Sequence, residues 1–179
     1  MARPVEQLLD VLRHESDVVL VDTSVFWGDA VAAAVAASDR CLVVGDPSVS
    51  SATSAARVIE LASRVGVPRT RMSAVFNRFG ARGADEDVAM RFEITCALSS
   101  KIRIADGGQD LAALMAFGRA DEAVGQTSAF ATSVREATRK MLVELGCAVG
   151  PWSDMVTDRA TRTERPRTRL PWSREGDSR

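Results

Sequence analysis

The sequence contains no tyrosine, only two lysines and only three cysteines among its 179 residues. Cys41, Cys96 and Cys147 stand far apart, without a Cys-x-x-Cys pair and away from the single histidine, which excludes the usual spacing of zinc sites. The longest apolar run, residues 30–37, is mostly alanine and too short to cross a bilayer. The amino-terminal residues are charged and amphipathic, unlike a signal peptide. We therefore expect a cytoplasmic protein with reduced thiols and no transmembrane segment.

The charge and composition are those of an ordinary globular protein. Hydrophobic residues make up 46% of the chain and charged residues 26%, and the formal net charge is −1. This balance gives no strong signal for binding nucleic acid or an anionic membrane surface.

Short apolar runs alternate with helical patterns along the chain. Four runs are typical of strands buried in a parallel sheet, at residues 17–22, 39–45, 72–77 and 101–105. Helices are predicted from Pro4, over 29–38, from a cap at Ser50 or Ser51 to a stop at Gly66, and over 85–98, 109–117 and 128–145. This alternation predicts an α/β fold with a parallel sheet and helices on both faces.

The composition changes after Gly150. Residues 151–179 hold three of the six prolines and seven arginines, with few large apolar groups. We therefore predict an α/β domain over residues 1–150 and a disordered Pro/Arg-rich tail over residues 151–179.

The ends of the predicted strands carry the candidate chemistry. Asp22 directly follows a Val-Val-Leu-Val run, where a carboxylate either caps a loop or holds the water shell of Mg²⁺ beside nucleotide phosphates, as in a Walker B strand. Asn77 ends the third predicted strand, where its carboxamide either forms a turn or reads the edge of a purine base.

The order of these features resembles the later part of the MinD/ParA group of P-loop ATPases, closest to its CpaE/TadZ pilus-assembly branch. The matching pieces are residues 17–48, 51–67 and 73–80, with a looser match over 102–142. In that group a Walker B aspartate, an alanine-rich helix, a strand followed by proline and an Asn-Arg strand occur in this order. The resemblance implies a partial P-loop NTPase fold.

The resemblance also implies roles for individual residues. Asp22 matches the Walker B acid, which would hold Mg²⁺ indirectly, and Thr23 matches the start of switch II. Pro47 matches the proline after the neighbouring strand, Asn77 the residue that contacts adenine, and Arg78 its neighbour. ATP or ADP with Mg²⁺ is the cofactor so implied. Ser24 departs from the group, because its members usually carry proline there.

The phosphate-binding loop of that group is missing from this sequence. No Gly-x-x-x-x-Gly-Lys-[Ser/Thr] motif occurs, and neither Lys101 nor Lys140 follows a glycine. We therefore expect no ATP hydrolysis by this chain alone. In that group the strand of the phosphate loop lies beside the Walker B strand, so its absence leaves residues 17–22 without their expected neighbour on one side, or paired directly with residues 40–45. The sheet then closes up, a partner supplies a strand, or the chain is a piece of a longer product.

Three functional hypotheses follow. The first is a degenerate or truncated relative of the MinD/ParA group that serves as an interaction or localisation subunit in pilus or secretion assembly, or in partitioning, with a homodimer or another protein as partner. The second is an ATPase whose Walker A loop comes from another chain or from upstream sequence. The third is a receiver-like domain, which is disfavoured because Asp22 has no adjacent acid and Lys101 begins its strand.

Overall fold

A computed structural model describes residues 2–24 and 26–150, without the side chain of Ala2. The chain divides into two compact units, one ending at Cys147 and the other beginning at Ala148. All helices and strands given below lie in the first unit, and residues 148–150 of the second are irregular. The tail predicted for residues 151–179 lies outside the described residues.

Six of the seven described α-helices agree closely with the predicted ones. The seven are α1 (Ala2–Glu15), α2 (Asp29–Ala37), α3 (Val49–Arg64), α4 (Glu86–Cys96), α5 (Gly108–Ala116), α6 (Ala120–Gly125) and α7 (Ala129–Glu144), of which α6 was not predicted. Ser48 caps α3, two residues before the earlier of the two predicted caps, and its Oγ accepts from the Ser51 amide at 3.3 Å. Gly66, with φ of +90°, ends α3 as predicted. None of the described helices is long and apolar enough to span a membrane.

Three parallel strands form the sheet of the described residues. They are β1 (Cys41–Gly45), β2 (Met72–Phe79) and β3 (Ser100–Ala105), in the order β1-β2-β3. Cys41 pairs with Met72, and Ser73 pairs with Ser100. The β2–β3 register shifts between Phe76 and Phe79, which marks a bulge in β2. The predicted parallel α/β fold is confirmed at this level.

The strand predicted at residues 17–22 is wrong. Residues 16–24 have irregular backbone, and Val18, Leu20 and Val21 are exposed. A run of β-branched residues favours an extended chain, but a strand also needs a neighbouring backbone to complete its hydrogen bonds. No strand of the described residues lies against this segment, so the local preference alone does not make it part of the sheet.

Helices cover both faces of the sheet. On one face, Met72, Ala74 and Phe76 are almost completely buried against α3 and α4. The rings of Phe76 and Phe92 lie 5.5 Å apart between centroids, which joins β2 to α4.

The opposite face carries α7. Successive residues of a strand point to opposite faces, so Ser73 lies on this second face together with Ser100, to which it hydrogen-bonds at 2.8 Å. The Oγ of Ser133 on α7 accepts a hydrogen bond from the backbone amide of Ala105 at 3.1 Å. The expected coverage of both faces is therefore present, although α7 lies over β3 and leaves part of β1 exposed.

Candidate functional site

The loops that follow the three strands meet at the carboxyl edge of the sheet. Gly45 ends β1 and is followed by Asp46 and Pro47, the bulge of β2 contains Asn77 and Arg78, and Asp106 follows β3. The Asp106 amide donates to the Phe79 carbonyl at 2.9 Å, which extends the contact between β2 and β3. Ligands of open parallel α/β sheets bind at this edge, so we treat it as the candidate site.

Asp46 organises the turn between β1 and α3. One of its carboxylate oxygens accepts hydrogen bonds from the amide of Ser48 at 2.9 Å and from the hydroxyl of Ser48 at 2.6 Å. Its own amide donates to the Oγ of Ser51 at 2.9 Å. These bonds to Ser48, with a smaller contribution from the positive charge of Arg78, lower the pKa of the Asp46 carboxyl. Asp46 therefore remains charged and fixed at the start of α3.

Gly45 permits the close packing that places this turn. A Cβ atom at this position would lie 2.2 Å from Cε2 of Phe92 and 2.8 Å from the Oγ of Ser51. No side chain fits there unless the Phe92 ring moves. The end of β1 can therefore approach α4 only because the residue is glycine.

Arg78 forms an ion pair with the acid that follows β3. Its backbone is left-handed, with φ of +61°, and its amide donates to the Oδ1 of Asn77 at 2.9 Å. Its Nε lies 3.3 Å from the Oδ1 of Asp106, and its charge also acts on Asp46. The only positive side chain that the sequence predicted for this site is therefore already balanced by acids of the same edge.

The predicted site residues fall into two groups. Pro47, Asn77 and Arg78 lie in the segments that form the carboxyl edge. Asp22 and Thr23 lie on the exposed irregular segment, and no hydrogen bond or ion pair joins them to the rest of the described chain. Asn77, the residue matched to adenine contact, thus lies with its neighbour Arg78 and with Pro47 in the loops of one edge, whereas the predicted Walker B acid lies on a segment outside the sheet.

The residues present offer little to a metal ion. Among the described residues there is no group of three or more histidine, cysteine, aspartate or glutamate side chains that could hold one. Asp22, the residue expected to act on Mg²⁺ through water, is exposed and has no second oxygen ligand from this set. Any Mg²⁺ held through Asp22 would therefore depend on water and nucleotide phosphates for its other oxygen ligands.

Sequence reasoning missed the hydrogen bonding around Asp46 and the pairing of Asp106 with Arg78. Each acid directly follows a predicted strand, Asp46 after residues 39–45 and Asp106 after residues 101–105. A signal for the first was present, because an aspartate two residues before a serine that caps a helix is typical of a turn in which the carboxylate accepts backbone hydrogen bonds. Nothing local in the sequence indicates the second, since it joins residues on different strands.

Exposed apolar side chains lie on β1 and on the segment 17–22. On β1, Val44 is 61% exposed and Leu42 is also exposed, on the face opposite to α3 and α4. In the segment 17–22, Leu20 is 87% exposed, and Val18 and Val21 are exposed as well. Scattered exposed aliphatic residues are ordinary, whereas here exposed aliphatic side chains occur on both a strand of the sheet and a strand-like segment.

No protein-family model, curated protein or solved structure matches this chain at a significant level.

Proposed function

We propose that this chain is a non-hydrolysing relative of the MinD/ParA group that serves in the cytoplasm as an interaction or localisation subunit, in pilus or secretion assembly or in partitioning. The observation that supports this proposal is the state of residues 17–22. The segment that would carry the Walker B acid lies outside the sheet and exposes its apolar side chains. A catalytic acid needs a fixed position beside the phosphates, whereas an exposed apolar segment suits contact with a protein.

The charges at the carboxyl edge also favour a role without hydrolysis. Phosphoryl transfer requires cations that neutralise charge developing on the transferred phosphate. Arg78 is paired with Asp106 and faces the negative charge of Asp46. Neither lysine of the chain follows a glycine as a phosphate-loop lysine does. Arg78, the cation predicted for this edge, is therefore already engaged by acids of the same edge.

A thermal-shift measurement with ATP and Mg²⁺ tests this proposal. We expect the wild-type chain to unfold at the same temperature with and without nucleotide, because a ligand raises the unfolding temperature only if it binds the folded state. Asn77→Ala is measured beside it as the variant that removes the predicted adenine contact. The proposal includes that the folded chain does not bind nucleotide, and an ATP-dependent rise in the wild type that is lost in Asn77→Ala would refute that part of it.

A second candidate function is nucleotide binding with a Walker A loop supplied by another chain or by upstream sequence. It is favoured by one observation, namely that Pro47, Asn77 and Arg78 lie in the loops of one sheet edge. The discriminating observation is the coding sequence before Met1. An in-frame phosphate-loop motif about a hundred residues upstream of Asp22 would support this candidate over the first.

A further inference from the structure

β1 offers an open edge for strand pairing. Among the described residues its other side pairs with β2, and no strand lies on this side. The side chains of Leu42 and Val44 are exposed on the face of the sheet opposite to α3 and α4. Unpaired backbone groups beside exposed aliphatic side chains form a template on which another strand adds, and natural proteins usually block such edges with charges or proline. Within β1, Cys-Leu-Val-Val-Gly, neither device is present.

The segment 17–22 has the residue composition of a β-strand, which is what could pair with the open edge of β1. Its four central residues, Val-Val-Leu-Val, strongly favour an extended strand, yet they take part in no sheet and three of them are exposed. One chain therefore carries both an open strand edge and an unpaired strand-forming segment.

The segment also runs in the direction that β1 requires. Arg13 of α1 donates to the carbonyl of Ala37 at the end of α2, and Arg71, which directly precedes β2, donates to the carbonyl of Ser38. The end of α1 and the end of α2 are thus both at the amino edge of the sheet. From the end of α1 at the amino edge, the chain must reach Asp29 at the opposite end of α2. It therefore runs antiparallel to α2 and parallel to β1.

We propose that two copies of this chain pair through these elements, with the segment 17–22 of each copy added in parallel to β1 of the other. Because the segment 17–22 and β1 of one chain run in the same direction, this exchange requires a two-fold axis parallel to the strands. The segment of the partner then lies between β1 and the chain's own segment. The result is a continuous parallel sheet of eight strands, three strands and one segment from each copy.

In a dimer with this axis, α2 of the partner covers the exposed face of β1. Trp27, just before α2, and Val35, within α2, pack on the core that lies between the sheet and the helices α3 and α4. A two-fold axis in the plane of the sheet reverses its faces, so α2 of the partner lies on the opposite face. Leu42 and Val44 project to that opposite face, where the first copy leaves them exposed. A second copy therefore supplies both the missing strand and its cover, which a single added peptide does not.

The charges at the start of β1 favour one register. If Val19 and Val21 of the partner lie beside Leu42 and Val44, its Asp17 lies beside Arg40. The side chain of Arg40 is largely buried, and its Nε has no hydrogen-bond partner among the described residues, although its other nitrogens contact Thr70 and Glu144. An acid at the start of the added strand complements this cation.

The dimer is independent of the proposed function, because it requires no nucleotide, and it is tested on the full chain without ATP. Light scattering after size-exclusion chromatography across a dilution series is expected to give twice the mass of one chain. Val44→Lys places a charge on the open edge and is expected to give the monomer. The matched control is Val49→Lys, at an exposed position of α3, which leaves the dimer intact.

A mixing experiment separates lost pairing from lost folding. Val21→Glu is expected to be monomeric like Val44→Lys, with the circular dichroism of both close to that of the wild type. In the proposed register Glu at 21 of one chain faces Lys at 44 of the other, so mixing the two monomers restores a dimer. A wild-type monomer at every concentration, a dimer in Val44→Lys, or a mixture that stays monomeric would each overturn the proposal.

Discussion

Glu93 on α4 accepts a hydrogen bond from Arg103 on β3, with 2.6 Å between the Oε1 of Glu93 and the Nε of Arg103. The Glu93 side chain is only 8% exposed, and the Nζ of Lys101 lies 3.6 Å from its second oxygen. Arg103 also bonds Glu86 at 2.7 Å and lies over the ring of Phe79. This charged cluster joins α4 to β3 on the face of the sheet where Phe92 packs against Phe76.

Replacing Glu93 is therefore expected to weaken the fold. Glu93→Gln keeps the size of the side chain but removes the charge that faces Arg103 and Lys101, and we expect a loss of about 1–3 kcal/mol in the free energy of unfolding. Urea denaturation followed by circular dichroism measures it. The control is Glu60→Gln, whose pair with Arg64 is exposed on α3 and should contribute almost nothing. Equal losses in the two variants would contradict the role assigned to Glu93.

The pH dependence of stability provides a second test of the same cluster. The hydrogen bond and charge of Arg103, followed by the charge of Lys101, lower the pKa of Glu93 in the folded state below its ordinary value of 4.5. A lowered pKa means that the stabilisation is complete above about pH 4.5 and is lost as the pH falls through the folded-state pKa. We expect the stability difference between wild type and Glu93→Gln to be constant near neutral pH and to shrink in acid. A difference that grows in acid would contradict this assignment.

The sequence predicts most of the sheet but not which strand-like run joins it. The runs that became β1, β2 and β3 are local patterns bounded by turns, and each has a neighbour that completes its ladder. Residues 17–22 have the same pattern, yet pairing depends on a distant backbone about which the run itself carries no information. The short helix α6 was not predicted, because its six residues span less than two turns and show no helical spacing of apolar residues.

The site is predictable at the level of which loops meet, because parallel strands bring their carboxyl ends together. Its details are not. The strand predicted to end at Asn77 continues to Phe79 through a bulge, and Arg78 there has positive φ, a conformation that arginine rarely adopts. The pairing of Arg78 with Asp106 then follows from the bulge and not from the spacing of the residues.

Gly45→Ala should disturb the packing under the carboxyl edge. The new Cβ would lie 2.2 Å from the Phe92 ring, so the ring or β1 must move, and we expect a loss of about 1–3 kcal/mol in unfolding free energy. Gly125→Ala is the matched control, since nothing lies within 4 Å of the added atom. Combining Gly45→Ala with Phe92→Leu should recover part of the loss relative to the sum of the two single variants. Simple additivity would show that the two positions do not interact.

The positive φ of Arg78 in the bulge of β2 predicts how substitutions at this residue change the stability of the fold. A residue with a Cβ at positive φ is strained by about 1–2 kcal/mol, which glycine avoids, while the ion pair with the exposed Arg78 guanidinium contributes little. Arg78→Gly should therefore be at least as stable as the wild type and more stable than Arg78→Ala by about 1 kcal/mol, in spite of the greater freedom of glycine in the unfolded chain. Urea denaturation of the three proteins measures the order. If Arg78→Ala proves more stable than Arg78→Gly, residue 78 is not held at positive φ, and the bulge that places Arg78 beside Asp106 is refuted.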